Sequence, residues 1–253
     1  MHKITMPISH LVNEVSINAF DFDIVEVKFL KDIHRFNPPW VFHFDVGIVN
    51  DLFMRQIRNI DWTGCELFSF HLGPACRRVK KESYYHIAES PVLDREIIKS
   101  IVKDRVARLR ELTDVPLAVE NGSYFPFPAY THICEPDFIT EIVEENRLGL
   151  VFDIAHAMIT AHNAGVVFTK YIDALPLDKI VEIHLTGTTI SEGTWKDLHN
   201  EPDFTGYAVL NYVLCLVPRD VHLTLEYYRD LEIMRKHNRI LRRLANVNSE
   251  SRH

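Results

Sequence analysis

The chain lacks the features that mark membrane, secreted or nucleic-acid-binding proteins. Its apolar runs stay well below the roughly 18 residues of a membrane-spanning helix. The first residues show no basic segment followed by an apolar run, so we expect no secretory signal. Acidic residues outnumber basic ones, 35 to 28, and the formal charge of −7 disfavours binding to phosphates. We therefore expect a cytoplasmic protein with no membrane and no nucleic-acid partner.

Cysteine is also scarce and widely spaced. The four cysteines are Cys65, Cys76, Cys134 and Cys215, and none forms a CxxC pair. This spacing predicts neither a disulfide framework nor a structural zinc site, and it fits a reducing compartment. No GxGxxG fingerprint follows the first apolar run, and its absence is evidence against an open sheet that binds a dinucleotide.

Histidine is the residue that the chain has in excess. There are 14 histidines among 253 residues, in an otherwise ordinary composition of 47% hydrophobic and 25% charged residues. Such a composition is typical of a globular protein with a large core. The histidine surplus is the feature that needs an explanation.

Short apolar runs recur along the chain, and segments with helical spacing separate them. Seven runs read as buried strands, with a weaker eighth at 4–9; the seven are 24–29, 40–47, 65–73, 116–121, 149–155, 179–187 and 221–227. Helical spacing is found at 94–112, 136–146, 205–216 and 230–246. Eight strands alternating with helices over about 250 residues predict a (β/α)8 TIM barrel. We expect one domain over residues 1–253, with an open doubly wound sheet as the alternative.

Histidines and carboxylates lie in these strands, near their ends, or in the loops that follow. The candidate metal ligands are His43, His71, Glu120, Asp153, His156, His184, Asp197, His199 and Glu226. A barrel gathers its carboxyl-terminal strand ends into one ring, so these residues would converge. Buried carboxylates are costly without a cation, and imidazole with carboxylate suits iron, zinc or manganese. Nine ligands are enough for two or three ions, and we expect the other nine histidines to be structural or on the surface.

The segments 120–165 and 171–187 resemble a known family. The features that carry the resemblance are Glu120-Asn121, Glu135-Pro136-x-Phe138, Gly149-Leu150-x-x-Asp153, Asn163-x-Gly165, the 182–187 strand, Asp197-x-His199 and Glu226. They are similar to the multinuclear non-haem iron-dependent oxidative enzymes, TIM barrels of the xylose-isomerase-like superfamily. That family includes the enzymes of methanobactin biosynthesis and of peptidyl-cysteine modification.

The resemblance implies an activity and partners. An enzyme of this kind uses O2 and an iron cluster to oxidise a side chain, often cysteine, of a ribosomally made precursor peptide. A separate protein usually presents the peptide leader, and we expect such a partner because 253 residues leave little room beside a barrel. The residues expected to act in catalysis are Glu120, Asn121 and Asp153. Asn121 would bond to a ligand or the substrate, or else cap its loop.

One departure from the family keeps other functions open. Many members have Asn where this chain has His156, and the spacing Asp153-Ile-Ala-His156 resembles endonuclease IV, a barrel with three metal ions. By analogy with that enzyme, the first ion would bind His43, His71 and Glu120. The second would bind Glu120, Asp153, His184 and Glu226, and the third His156, Asp197 and His199.

The ligand set alone therefore leaves three activities open. They are iron-dependent oxidation, phosphodiester hydrolysis, and sugar isomerisation or epimerisation, of which the last normally needs fewer metals. The strings EPDFITEIVEEN and YIDALPLDKIVEIHLTG favour the oxidative family. Basic and aromatic residues near the first strands, Lys28, Lys31, Arg35, Phe36 and Trp40, are expected in solvated loops rather than in a wedge that enters DNA.

Overall fold

Eight parallel strands close into a barrel. The structure is a computed structural model that describes residues 1–13, 16–33, 35, 39–191 and 193–250, with side chains as far as residue 247. The barrel strands are β1 (Lys3–Pro7), β2 (Ile24–Val27), β3 (Trp40–Phe44), β4 (Cys65–His71), β7 (Leu117–Glu120), β8 (Gly149–Asp153), β9 (Ile180–Leu185) and β12 (His222–Leu225). Each pairs in parallel with the next, and β1 joins β12 to β2. The predicted (β/α)8 barrel is confirmed.

Helices follow most of the strands, and two hairpins extend the barrel. The helices are α1 (Phe53–Ile57), α2 (Arg95–Leu112), α3 (Pro136–Asn146), α4 (Ile154–Asn163), α5 (Phe168–Asp173), α6 (Phe204–Leu216) and α7 (Leu231–Glu250). One hairpin pairs β5 (Val79–Glu82) with β6 (Tyr85–Ala88), and the other pairs β10 (Gly187–Ser191) with β11 (Thr194–Asn200). Both hairpins follow the carboxyl end of a barrel strand. None of the helices among the described residues has the length and apolar character needed to cross a bilayer.

Some elements differ from the sequence prediction. Helix α4 begins at residue 154, inside the run 149–155 that we assigned to a strand, and seven of its ten residues are buried. The segment after 187, expected to be a loop, is the β10–β11 hairpin.

The expectation of solvated loops near the first strands is wrong for two residues. Trp40 lies in β3 and is 4% exposed. Lys28 points into the barrel, where it donates a hydrogen bond to Glu226. Lys31 and Arg35 are exposed, as expected, and Phe36 lies outside the described residues.

Two layers fill the barrel, and alternation along the strands produces them. Side chains two positions apart on a strand share a face. The lower layer is apolar and consists of Ile24, Val41, Leu67, Ala118 and Val151. Two residues further along the same strands stand Glu26, His43, Ser69, Glu120 and Asp153, all of them buried. The apolar layer therefore closes the barrel from below and leaves the polar layer facing its carboxyl-terminal mouth.

The outward faces of β3 and β4 carry an aromatic cluster that supports these two strands. Phe68 is fully buried, and its ring centroid lies 5.3 Å from that of Phe42, 5.0 Å from Trp62 and 5.5 Å from Phe70. The ring of Phe53, from α1, lies 6.2 Å away. The strands that bear His43 and His71 are thus held in place from behind by ring packing.

We predict that Phe68→Ala lowers the free energy of unfolding by about 3–5 kcal/mol, because it removes a buried ring and leaves a cavity. Urea unfolding followed by circular dichroism measures the change. Phe204→Ala is the control, since Phe204 is 87% exposed and its loss should cost less than about 0.5 kcal/mol. Equal losses for the two variants would contradict the role given to the cluster.

Candidate metal centre

The nine side chains selected from the sequence converge at the carboxyl-terminal mouth of the barrel. β3 contributes His43, the ends of β4, β7 and β8 contribute His71, Glu120 and Asp153, and β9 contributes His184. The others are His156 in the first turn of α4, Asp197 and His199 on β11, and Glu226 directly after β12. His43 and His184, far apart in the sequence, are therefore brought to 4.9 Å between their ring centroids.

Glu120 lies at the centre of the group. Its Oε2 atom is 2.9 Å from His71 Nδ1 and 3.7 Å from His43 Nε2. Its Oε1 atom is 3.0 Å from His184 Nδ1 and 3.8 Å from His156 Nδ1. Burial would raise the pKa of Glu120, but the charges of His71 and His156 outweigh it and hold the pKa well below its ordinary value. Glu120 is thus an ionised carboxylate with one oxygen towards each of two histidine groups.

Asp153 uses one oxygen for structure and keeps the other free. Oδ1 accepts a hydrogen bond of 2.7 Å from the backbone N–H of His156 and so caps α4. Oδ2 is buried and has no hydrogen-bond partner among the described residues. Burial raises the pKa of Asp153 to about 6. The orientation of Asp153 is therefore set by the start of a helix.

Asn121 positions Asp153. Its Nδ2 donates to the carbonyl of Asp153 at 3.0 Å, and its Oδ1 accepts from the N–H of the same residue at 2.8 Å. Asn121 is fully buried. From the sequence we expected Asn121 to bond to a ligand or the substrate, or to cap its loop. In the structure, both ends of its side-chain amide bond to the backbone of Asp153 at the end of β8.

His156 is oriented by the same residue. Its Nδ1 lies 2.9 Å from the carbonyl oxygen of Asn121, to which it donates a hydrogen bond, and its Nε2 therefore faces Asp197 Oδ2 at 3.3 Å. Asp197 Oδ1 accepts from the backbone N–H of His199, whose Nε2 is 3.6 Å from Glu226 Oε2. These contacts bring His156, Asp197 and His199 together as a chain of neighbours.

Among the described residues, four sets of three have ligand atoms that all lie within 4.8 Å of one another. They are Glu26–His43–His184, His43–His71–Glu120, Glu120–Asp153–His156 and Asp153–His184–Glu226. The second contains the three residues of the first expected ligand set, and the fourth contains three of the four residues of the second expected set, without Glu120. In the third set, the His156 nitrogen near Glu120 and Asp153 is Nδ1. This nitrogen already donates a hydrogen bond to Asn121, so we expect His156 to bind an ion through Nε2, together with Asp197. Asp197 and His199 are in none of the four sets, so their arrangement is looser.

Sequence reasoning missed Glu26, Glu182 and Lys28. His184 Nε2 is 3.4 Å from Glu26 Oε2 and 3.6 Å from Glu182 Oε1. Glu182 Oε1 also accepts a hydrogen bond from Thr224. The available signal was a lone charged residue inside an apolar run, Glu26 in IVEV and Glu182 in IVEIHL.

The buried polar atoms of this centre fit metal ions. Buried carboxylate oxygens that have no hydrogen-bond partner in the described residues include both oxygens of Glu26, Asp153 Oδ2 and Glu182 Oε2. Unmatched acceptors of this kind are costly unless a cation is bound. Burial also lowers the pKa of His43 well below its ordinary value, which keeps the imidazole neutral and able to bind a metal.

We predict that Asn121→Ala lowers the free energy of unfolding by about 2–4 kcal/mol, because two buried backbone groups of Asp153 lose their partners. Urea unfolding of the metal-free protein measures it. Asn163→Ala is the matched control: the Asn163 amide makes three similar bonds, one to the backbone of Tyr124 and two to that of Trp195, but it is only partly buried, so water replaces them. Equal losses would show that Asn121 has no special positional role.

We also predict that the stability of the metal-free protein falls as pH rises above 7. The negative charges of Asp153 and Glu120 overcome burial and raise the pKa of His156 to about 10, against about 6.5 in the unfolded chain. The contribution of His156 is therefore complete below about pH 6.5 and is lost as the pH approaches 10. The urea midpoint is measured at pH 7 and at pH 9.5 with a chelator present. It should fall more between these two pH values in the parent than in His156→Gln, and equal falls in the two proteins would refute the prediction.

Comparison with known proteins agrees with this architecture. A D-tagatose 3-epimerase-like protein superimposes with a TM-score of 0.62 at 18% identity, over 99% of this chain and 100% of the other. A 3-keto-D-glucoside 4-epimerase from E. coli gives the same TM-score at 12% identity, over 96% and 100%. At these identities the likeness shows the barrel fold alone.

Sequence comparison identifies the family. A UPF0276 protein of Acaryochloris marina is 26% identical over 159 residues, and one of Caulobacter vibrioides is 24% identical over 192 residues. The matches cover 62% and 74% of this chain but only 57% and 58% of the relatives, so the chain spans under three fifths of their length. The profile of the RiPP precursor modification enzymes MbnB/TglH/ChrH matches residues 48–232, well over half of the chain. This chain belongs to that family of enzymes, which modify the precursors of ribosomally synthesised and post-translationally modified peptides.

Proposed function

We propose that this protein is a multinuclear non-haem iron oxidase that uses O2 to modify a side chain, cysteine by preference, of a ribosomally made precursor peptide. The observation that carries the proposal is Glu120, whose two oxygens face two separate histidine groups at 2.9 and 3.0 Å. A carboxylate in this position is suited to bridge two ions. The match to the peptide-modifying family supports the substrate class.

The residues of the centre divide into three ligand sets. His43 and His71 would hold an ion on the Oε2 side of Glu120. Asp153, His184 and Glu226 would hold an ion on the Oε1 side, where their ligand atoms lie within 4.8 Å of one another. A third position would use the looser set of His156, Asp197 and His199. Iron held by these residues would supply the activation of O2.

Exposure indicates the side from which a substrate arrives. The side chains of Glu120, Asp153 and His184 are at most 1% exposed. In contrast, His71 is 28%, His199 34% and Asp45 60% exposed. The peptide side chain would therefore enter between β4 and the β10–β11 hairpin, while the buried face excludes water.

The mouth also offers contacts for a peptide or for a protein that carries one. Ile87 on β6, Ile190 on β10 and Leu198 on β11 are 42%, 62% and 40% exposed. Exposed apolar side chains from two hairpins beside one site favour an interaction surface. We propose that a separate protein presents the peptide leader here, and co-expression with neighbouring genes identifies it.

We predict that the protein purified without oxygen binds at least two iron ions per chain and gives a mixed-valent electron paramagnetic resonance signal after partial oxidation. The same measurements are made on two variants. Glu120→Gln should lose the mixed-valent signal, whereas the control Glu135→Gln, which changes an exposed residue paired with Arg95, should keep it. A short precursor peptide encoded beside the gene serves as substrate, with the mass change as readout.

Other results of the same experiments would contradict the proposal. Zinc at full occupancy, with no activity gained from iron, would refute the oxidase. Metal-dependent cleavage of a phosphodiester or epimerisation of a sugar by the same preparation would assign the centre to one of the alternative activities.

A further inference from the structure

Lys28 is a positive charge built into the proposed metal centre. It follows β2 directly, and its side chain is only 11% exposed. The ammonium group donates a hydrogen bond to Glu226 Oε1, lies 3.6 Å from Glu26 Oε1 and stands 5.7 Å from the ring centroid of Tyr228. β2 and β12 together therefore enclose this cation between two carboxylates.

The surroundings of Lys28 are otherwise negative. The buried carboxylates of the centre are Glu26, Glu120, Asp153, Glu182 and Glu226, with Asp197 mostly buried beside them. In the part of the chain that the structure describes, Lys28 is the only lysine or arginine that forms an ion pair with any of them. It thus supplies positive charge that metal ions would otherwise have to provide alone.

The position of Lys28 affects one ligand set more than the others. The Glu226 oxygen that accepts its hydrogen bond is the oxygen that lies 3.6 Å from His184 Nδ1. The same oxygen is therefore needed both by Lys28 and by an ion bound to Asp153, His184 and Glu226. An ion there meets a weakened carboxylate donor and the repulsion of a nearby ammonium.

We propose that Lys28 is a resident cation that tunes metal affinity: it holds Glu226 and Glu26 in place and makes the ion of the Asp153–His184–Glu226 set bind more weakly than the ion of the His43–His71–Glu120 set. This inference rests on the proposed function insofar as the centre binds metal, but it does not depend on iron or on O2. It assigns Lys28 as a residue that determines the affinity and number of bound ions.

The test is a titration of the metal-free protein with Co²⁺, followed by absorbance and by metal analysis after desalting. We expect the parent to bind one ion at least tenfold more weakly than another. Lys28→Met, which removes the charge, should tighten the weak ion roughly tenfold or more, because even in water a unit charge a few ångströms from a divalent ion costs about that factor. Lys28→Arg, which keeps the charge, and Lys31→Met, on the exposed surface nearby, should bind as the parent does.

A second measurement separates charge from packing. Without metal, Lys28→Met should unfold at a lower temperature than the parent, and it should gain more from added Co²⁺. If Lys28→Met does not fold, Lys28→Gln removes the charge and keeps a hydrogen-bond donor. Unchanged or weaker binding in the neutral variant overturns the proposal.

The results also distinguish the role of Lys28 from the oxidase activity. A parent protein that binds Co²⁺ but shows no iron-dependent oxidation refutes the oxidase alone, and the comparison of Lys28 variants still decides the role of the lysine. A parent that binds no divalent metal refutes both.

Discussion

The structure depends on the burial of ionised carboxylates at the mouth of a barrel. Removal of a carboxylate from water costs several kcal/mol unless a cation or hydrogen-bond donors replace the solvent. Here Glu120 faces histidines on both sides, while Glu26 has no hydrogen-bond partner among the described residues. A protein that maintains such a centre needs positive charge in it. The cluster therefore makes sense as a place where metal ions bind, and the surrounding fold serves to hold it open for them.

The barrel provides this support from below and from outside. The apolar layer that includes Val41, Leu67 and Ala118 excludes water beneath the polar layer. The ring cluster around Phe68 fixes the strands of His43 and His71, and Asn121 fixes the backbone of Asp153. His43, His71 and Asp153 are thus each held by a strand and by neighbouring side chains, which gives this part of the centre a defined geometry before any ion arrives.

Much of this was predictable from the sequence because strand ends converge in a barrel. His43, Glu120 and Asp153 lie on short apolar runs, and their position on those runs placed them at the mouth. Glu26 and Lys28 were missed because a single charge near an apolar run is also typical of a strand that meets solvent. Their inward direction depends on which face of β2 points into the barrel, and the apolar run 24–29 alone does not fix that face. Helix α4 was missed because its first residues, Ile154 and Ala155, continue the apolar run of β8 without a break.

Helix α4 connects the two halves of the centre mechanically. It begins at Asp153, which caps it, and ends at Asn163, which bonds to the backbone of Trp195 in β11; His162 stacks on the ring of that tryptophan at 4.9 Å. β11 also bears Asp197 and His199. At about 1.5 Å per residue, the helix is a strut of roughly 15 Å between the barrel and the hairpin. The distance between the strand-borne ligands and the hairpin-borne ligands therefore depends on the length of this helix: one residue more or less would shift its far end by about 1.5 Å and turn it by about 100°.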